Sequence, residues 1–161
     1  MTAEGQPKAK AHRQHTIRVR VRQSDTDYLG IVYNPVYLDY ATETVFQHVE
    51  SLNFGVERIR ALGGYFVVRR HDIDYLLAAR AGEELLVTTH IIAMKGLLAR
   101  RETTIVNAVT GRLVARAKTD YVFLKENGRP GHIPAAILDA FDWGQEVGAG
   151  GGTAPFEPGD D

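Results

Sequence analysis

The chain lacks cysteine altogether, and this absence removes several kinds of site from consideration. Without thiols there is no disulfide framework, no thiolate metal ligand and no cysteine nucleophile. Serine is almost as scarce: only Ser24 and Ser51 occur, and neither lies in the G-x-S-x-G turn of a serine hydrolase. The H-E-x-x-H metal motif and the glycine-rich nucleotide-binding loops are missing as well. We therefore expect no metal site and no nucleotide cradle of these types.

The chain also lacks an excess of either positive or negative charge. Lysine and arginine number 19 against 20 acidic residues, which gives a formal net charge of −1 at pH 7. This balance provides no electrostatic footprint for a nucleic-acid partner. No apolar run approaches the ~20 residues that span a bilayer. The first fourteen residues are polar and basic, so we expect no secretory signal, no membrane insertion and a cytoplasmic location.

What remains is an ordinary globular composition. The 161 residues, 44% of them hydrophobic, suit one domain with a sizeable core. Residues 1–14 show no apolar periodicity, and residues 144–161 consist largely of Gly, Ala, Pro and Asp. Such segments bury too little apolar surface to fold. We therefore predict a single domain over residues 15–143 between two disordered tails.

Hydrophobic periodicity predicts one long helix and a set of strands. The helix follows Asn34-Pro35, a start signal in which Asn caps free N–H groups and Pro takes the first helical position. Its apolar arc is broad, which predicts burial on most sides. One apolar row contains Leu38, Ala41, Val45, Val49 and Leu52, and a second contains Tyr37, Ala41, Thr44 and His48.

Five segments alternate or are rich in β-branched residues, and most are joined by short turns. Short turns favour antiparallel neighbours, and an apolar helix requires a sheet curled around it. The pattern thus predicts an α+β fold with a five-stranded antiparallel sheet around the helix. An open sheet edge predicts pairing into a dimer. The predicted strands cover residues 15–23, 65–77, 85–94, 97–106 and 113–124, with short helices at 56–62 and 134–141.

The densest group of reactive side chains precedes the long helix. Asp25 and Asp27 are two residues apart, so an extended loop would place them on the same side, and Gly30 follows as a turn residue. The positive end of the helix can stabilise a developing negative charge. Spacing alone leaves two readings open: a catalytic carboxylate, or two aspartates that only hold the turn through Asx-type bonds.

The pattern D-x-D-x-x-G-I-V-Y-N-P-x-Y-L-x-x-x-x-E over residues 25–43 resembles the signature of the 4-hydroxybenzoyl-CoA thioesterase family of hotdog-fold enzymes. It is most similar to the acyl-CoA thioesterase branch associated with the Tol–Pal system. The similarity continues through residues 65–75 and 90–107. It implies the hotdog fold, which agrees with the periodicity. It also implies hydrolysis of an acyl thioester to free acid and coenzyme A, with that thioester as substrate and no further cofactor.

Matching the family motif assigns the catalytic carboxylate to Asp27, as nucleophile or general base, and leaves Asp25 to cap the loop. Backbone N–H groups of Tyr33 and Asn34 would stabilise the oxyanion, because Pro35 has no N–H to donate.

Further residues follow from the same resemblance. Gly30 and Glu43 would support the site, and Tyr37 would line the acyl pocket. Glu43 could alternatively be a surface charge or pair with another residue of the helix. Tyr37 could alternatively be an ordinary core residue. Coenzyme A phosphates call for cations, for which Lys95, Arg69 and Arg100 are candidates. Each could equally be a solvated charge, and adjacent strand residues face opposite ways.

Three alternatives remain beside the acyl-CoA thioesterase. A hydratase of the same fold carries D-x-N-P-x-H, but Val32 and Tyr37 occupy the two reactive positions here. A non-catalytic acyl-binding module is possible on this fold, although the presence of Asp27 argues against it. Thioesters of acyl carrier protein could replace those of coenzyme A. For the acyl-CoA thioesterase we expect a homodimer, or a dimer of dimers forming a homotetramer, with the site completed across a subunit boundary.

Overall fold

A computed structural model describes residues 13–141 and residue 143; the remaining parts of the two predicted tails lie outside the described residues. The first strand already begins at Gln14. The elements are β1 (Gln14–Arg20), α1 (Asn34–Ser51), α2 (Val56–Ala61), β2 (Gly64–Tyr75), β3 (Glu84–Lys95), β4 (Leu98–Asn107), β5 (Leu113–Lys125) and α3 (Ala135–Ala140).

The strands form one sheet in the order β1-β3-β4-β5-β2, and every neighbouring pair is antiparallel. Strands β3, β4 and β5 follow one another through short turns, as the sequence predicts. β1 and β2, which the long helix separates along the chain, lie at opposite edges of the sheet. The predicted α+β fold, a five-stranded antiparallel hotdog sheet packed around a long helix, is confirmed.

One face of the sheet packs on the helix and the other faces solvent, so burial alternates along the central strands. In β4 the inward row contains Ala99, Arg101, Thr103 and Ile105. Arg101 is therefore in the interior, while its neighbour Arg100 is on the outer face.

Helix α1 begins one residue earlier than the capping pattern predicts. Tyr33 occupies the cap position without a side-chain capping bond, and Asn34 is already the first helical residue. The row of Tyr37, Ala41, Thr44 and His48 is buried, as predicted.

The prediction that α1 is buried on most sides is wrong within this chain. In the other predicted row only Ala41 is fully buried, and Leu38, Val45 and Val49 are half-buried. Asp39, Glu43 and Phe46 on the outer side are exposed. The physical reason is that the sheet covers one side of the helix, and apolar spacing alone does not show how far a sheet wraps.

Two apolar clusters divide the core along α1. The first joins Tyr37 and Tyr40 near the helix start to Val32 and Leu85. The second, which includes Phe54, Phe123, Ile137 and Phe141, contacts Val49 in the last turns of the helix. No helix in the described residues is both long and apolar enough to cross a bilayer. Within the same residues no cluster of three or more His, Asp or Glu side chains could hold a metal ion.

Candidate active site

Residues 26–32 form a tight hairpin immediately before α1. The Asp27 N–H donates to the Ile31 carbonyl at 2.9 Å, and the Gly30 N–H donates to the Asp27 carbonyl at 3.0 Å. Gly30 has a φ of +72°, in the left-handed region where residues with a Cβ are strained. A glycine at this position closes a short hairpin loop with a bulge. Gly30 therefore shapes the loop that presents Asp27.

The Asp27 carboxylate is half-buried and anchored at one oxygen. Its Oδ1 accepts the Leu29 N–H at 2.8 Å, an Asx-type bond that holds the turn. Its Oδ2 forms no hydrogen bond to the described residues. The Asp27 side chain is thus compatible with both roles considered from the sequence. One oxygen holds the turn, and the other is available for chemistry.

Asp25 differs from Asp27 in burial and in hydrogen bonding, and it holds the loop as predicted. It is 4% exposed, and its carboxylate accepts the Arg22 N–H, the Arg22 guanidinium and the Tyr40 hydroxyl, the last at 2.8 Å. Burial alone would raise the pKa of Asp25, but the hydrogen bonds from Arg22 and Tyr40 outweigh it and the pKa lies below its ordinary value. The carboxylate is therefore ionised, saturated with donors, and ties the hairpin base to α1.

The helix start offers one of the two predicted backbone donors. The Tyr33 N–H donates to the Asp25 carbonyl at 2.9 Å, so in this structure it is engaged and the prediction of a free donor is wrong. Pairing between the two limbs of the hairpin is the physical reason. The Asn34 N–H has no acceptor among the described residues. The Asn34 carbonyl accepts the Tyr75 hydroxyl at 3.3 Å.

For Tyr37 and Glu43 the structure favours the simpler readings. Tyr37 is 3% exposed, its hydroxyl accepts the Ala79 N–H at 3.4 Å, and its ring contacts Tyr75 with centroids 5.7 Å apart. Burial raises the pKa of its hydroxyl. Tyr37 is thus a core residue and does not line the cavity described next. Glu43 is exposed and accepts a 2.8 Å bond from Gln47 one helical turn along, which is a helix-pair role.

An apolar cavity of about 250 Å³ lies between the second half of α1 and the sheet. Val45, Phe46 and Val49 form its helical wall, and Phe66 and Met94 belong to its sheet wall. Asp27 does not line it. The lining begins on α1 at Thr42, which is eight residues beyond Asn34, or about 12 Å along the helix axis at 1.5 Å per residue.

Arg101 is the charged residue in the cavity wall. It is 5% exposed, its Nη1 donates to His48 Nδ1 at 2.9 Å, and its guanidinium lies 5.6 Å from the centre of the Phe141 ring. Burial lowers its pKa to about 10, so it is still a cation at neutral pH. His48 also stacks on His15, with ring centroids 5.6 Å apart. The prediction that His48 packs rather than reacts agrees with these contacts.

Residues 21–141 match the family model of the thioesterase-like superfamily. The chain belongs to this superfamily. It is therefore a thioester hydrolase, and the hairpin and cavity described above are parts of a thioesterase fold.

Individual relatives support the same assignment. This chain is 24% identical to a chloroplastic acyl-acyl carrier protein thioesterase of Arabidopsis thaliana over 127 residues. The match covers 79% of this chain and 68% of the relative. The chain is 35% identical to the acyl-CoA thioesterase YbgC of Haemophilus influenzae over 81 residues, covering 48% of this chain and 58% of that protein. The narrower Tol–Pal branch is not established by these matches.

Solved structures show the same fold. A 1,4-dihydroxy-2-naphthoyl-CoA thioesterase from Synechocystis superposes with a TM-score of 0.74 at 23% identity, over 80% of this chain and 96% of that one. A thioesterase from Thermus thermophilus, determined in complex with coenzyme A and Zn, gives a TM-score of 0.70 at 28% identity, over 81% and 95% of the two chains.

The basic residues predicted to bind coenzyme A lie on three strands in this thioesterase, and two of them flank one acidic side chain. The Arg100 guanidinium pairs with both carboxylate oxygens of Asp120, and these hydrogen bonds hold the pKa of Asp120 below its ordinary value. Arg69 is exposed on β2, and its charge also lowers the pKa of Asp120 on β5, so Arg69 and Arg100 lie on either side of the same carboxylate. Lys95 is exposed at the end of β3, one strand further away.

Proposed function

We propose that this superfamily member hydrolyses acyl-CoA thioesters with Asp27 as its catalytic carboxylate. The proposal rests on one observation. The hairpin holds Asp27 with one carboxylate oxygen unbonded among the described residues, and it leads directly into the start of α1, where the Asn34 N–H lacks an acceptor. A carboxylate beside an open donor at a positive helix end supplies the two groups that acyl transfer requires.

Two chemical routes are open to Asp27. As a general base it takes a proton from water, and the hydroxide adds to the thioester carbonyl. As a nucleophile it adds directly and forms an anhydride, which water then opens. In both routes the carbonyl oxygen becomes an oxyanion that the Asn34 N–H can stabilise, and the thiolate of coenzyme A leaves. One such donor is worth about 3–4 kcal/mol of barrier.

Coenzyme A is the carrier that we favour, and acyl carrier protein is the second candidate. Support for coenzyme A comes from the similarity to YbgC and to the Thermus thermophilus thioesterase that was solved with coenzyme A. The second candidate is favoured by the longer match to the Arabidopsis thaliana enzyme, which spans 127 residues.

We further propose that two chains complete each site, in a dimer or a dimer of dimers. The start of α1 and the cavity are about 12 Å apart along one helix, which is too far for one carbonyl to contact both. β2 is an edge strand in this sheet, and Val68 and Tyr75 on it are 48% and 44% exposed. Pairing through this edge would bring a second copy of the hairpin and the cavity together.

Thioester hydrolysis by purified protein tests the catalytic assignment. The substrates are short, long and aromatic acyl-CoA thioesters and the matching acyl carrier protein thioesters. Asp27→Asn keeps an oxygen for the Leu29 N–H but removes the base, so we expect kcat to fall by about 10²- to 10⁴-fold. Asp139→Asn, on the exposed side of α3 at the other end of the molecule, is the matched control.

The outcomes separate the candidates. If Asp27→Asn turns over at the wild-type rate, Asp27 is not the catalytic group. If carrier-protein thioesters are cleaved with the higher kcat/KM, the second candidate replaces the first. If wild-type protein binds acyl-CoA but cleaves no member of the panel, the chain is an acyl-binding module.

A further inference from the structure

Arg101 is a buried cation that no acidic side chain neutralises among residues 13–141. At 5% exposure it has lost nearly all contact with water. Its hydrogen-bonding partner is the imidazole of His48, and its neighbours include the ring of Phe141 and the phenol of Tyr121, whose pKa burial raises and which is therefore neutral. Charged side chains are almost never fully buried unless they are paired, because an unpaired charge in the interior is costly. Neither an imidazole that accepts a hydrogen bond nor an aromatic ring supplies a full negative charge.

The neighbouring Arg100 provides a comparison, because it forms an ion pair with an acidic side chain. Arg100, one position earlier on β4, is more exposed than Arg101, yet its Nε and Nη2 groups both donate to the Asp120 carboxylate. The inner face has no such acid opposite Arg101, where β5 presents Thr119 and β3 presents Ile91. The difference between the two faces points to a counter-ion for Arg101 that arrives from outside the described chain.

The place where such a counter-ion could arrive is the cavity whose wall contains Arg101. Its volume of about 250 Å³ corresponds to roughly eight water-sized groups at about 30 Å³ each. The remaining walls are mainly hydrocarbon, from residues such as Val45, Val49 and Phe66. Hydrocarbon walls suit a methylene chain, and a guanidinium has five N–H donors in a fork that matches a carboxylate.

We propose that the cavity binds an acyl group of about six carbons whose far end carries a carboxylate, and that Arg101 pairs with that carboxylate. The inference rests on the proposed thioesterase function and names its substrate class, the ω-carboxyacyl thioesters. An unsubstituted acyl chain would fill the same space but displace water from a cation without neutralising it. Arg101 would thus favour the acidic chain and disfavour the plain one.

Two thioesters of equal length test this substrate class, adipoyl-CoA with its free terminal carboxylate and hexanoyl-CoA without one. A charge-assisted hydrogen bond of this kind changes binding by about 10- to 100-fold. We expect wild-type protein to prefer adipoyl-CoA in kcat/KM by that factor. Arg101→Met should remove the preference by lowering the adipoyl-CoA value, with the hexanoyl-CoA value unchanged or raised.

Two further variants control for folding and for general loss of charge. Arg101→Lys keeps a cation without the planar fork and should retain part of the preference. Arg116→Met removes an exposed arginine from β5 and should leave both kcat/KM values unchanged. Thermal unfolding of Arg101→Met should match or exceed that of wild type, since replacing an unpaired buried charge by an apolar side chain is neutral or stabilising.

Calorimetric binding of two amides separates this proposal from the thioesterase proposal. The monoamide of adipic acid has one free carboxylate, whereas hexanamide has the same chain length and none. The monoamide should bind to wild-type protein about 10- to 100-fold more tightly than hexanamide, and both should bind equally weakly to Arg101→Met, whether or not any thioester is cleaved. If the two amides bind alike to wild type, or if Arg101→Met weakens both to the same extent, the proposed role of Arg101 is refuted. If the monoamide binds as expected but no thioester is hydrolysed, only the catalytic proposal fails.

Discussion

Replacing Tyr40 by phenylalanine should loosen the hairpin that carries Asp27. The Tyr40 hydroxyl donates a 2.8 Å hydrogen bond to Oδ2 of Asp25, a carboxylate with 4% exposure. The bond joins the second turn of α1 to the base of the hairpin, and the change to phenylalanine removes the hydroxyl alone. Arg22 still contacts Asp25 in the variant, so the carboxylate keeps its other donors.

The expected cost follows from the type of bond. A hydrogen bond to a charged group contributes about 1.5–3 kcal/mol to stability, and the buried carboxylate cannot recruit bulk water in its place. Urea unfolding should therefore show a free energy of unfolding lower by that amount at pH 7. With a slope of about 1–3 kcal/mol per molar urea, the midpoint should fall by roughly 1 M. Thioester turnover should fall as well, because the hairpin positions Asp27.

The pH dependence provides a second readout. The pKa of Asp25 in the folded protein lies below its ordinary value of 3.8. The stability that its ionised form contributes is therefore complete above the pKa of the unfolded chain and is lost as pH falls through the folded pKa. The difference between wild type and Tyr40→Phe should stay constant from pH 7 down to about pH 4 and shrink below it.

Tyr28→Phe is the matched control, since Tyr28 lies in the same hairpin and is 94% exposed. Its effect should stay within about 0.5 kcal/mol. A Tyr40→Phe protein that unfolds at the wild-type urea concentration would refute the view that Asp25 and Tyr40 hold the hairpin. A difference between wild type and variant that grows at acid pH would refute the assigned charge state of Asp25.

Two further substitutions test details of packing and backbone. Thr89 is fully buried and its Oγ1 has no hydrogen bond among the described residues, so Thr89→Val should raise the free energy of unfolding by about 1–3 kcal/mol in urea titrations. A loss of stability would instead reveal a partner for that hydroxyl. Gly30→Ala places a Cβ at a φ of +72° and should lower the thermal midpoint by the equivalent of about 1–2 kcal/mol. Gly30→Asn, with a residue type that tolerates the left-handed region, should lower the midpoint by less, and equal effects of the two changes would rule out backbone strain at Gly30.

The elements with regular spacing could be predicted from the sequence because their periodicity is local. Alternation located the strands to within a few residues, and the row from Tyr37 to His48 gave the buried side of α1. The family motif leaves the loop-holding role to Asp25, and its bonds to Arg22 and Tyr40 agree with that role. The same local reasoning could not show how much of α1 the sheet covers, because coverage depends on curvature and on which strands lie at the edges.

The details of the site depend on contacts between distant parts of the chain. Tyr37 is a core residue because its hydroxyl meets Ala79, 42 positions away, and the Tyr33 N–H is engaged because the hairpin closes on Asp25. Arg101 meets His48 across 53 positions. One signal for Arg101 was present, since it occupies the inward row of β4 between Ala99 and Thr103.

The outward-facing charges of β4 also determine how that strand is aligned in the sheet. Shifting β4 by one residue against its neighbours would exchange its two faces, moving Arg100 and Glu102 into the interior and Ile105 out to solvent. Such a slipped arrangement would move Arg101 to solvent, but it would bury Arg100 and Glu102 and break the ion pair with Asp120, so misaligned forms of the sheet are disfavoured during folding. The charges on the outer face therefore specify the alignment of the central strand, against the opposing preference of the arginine in the core.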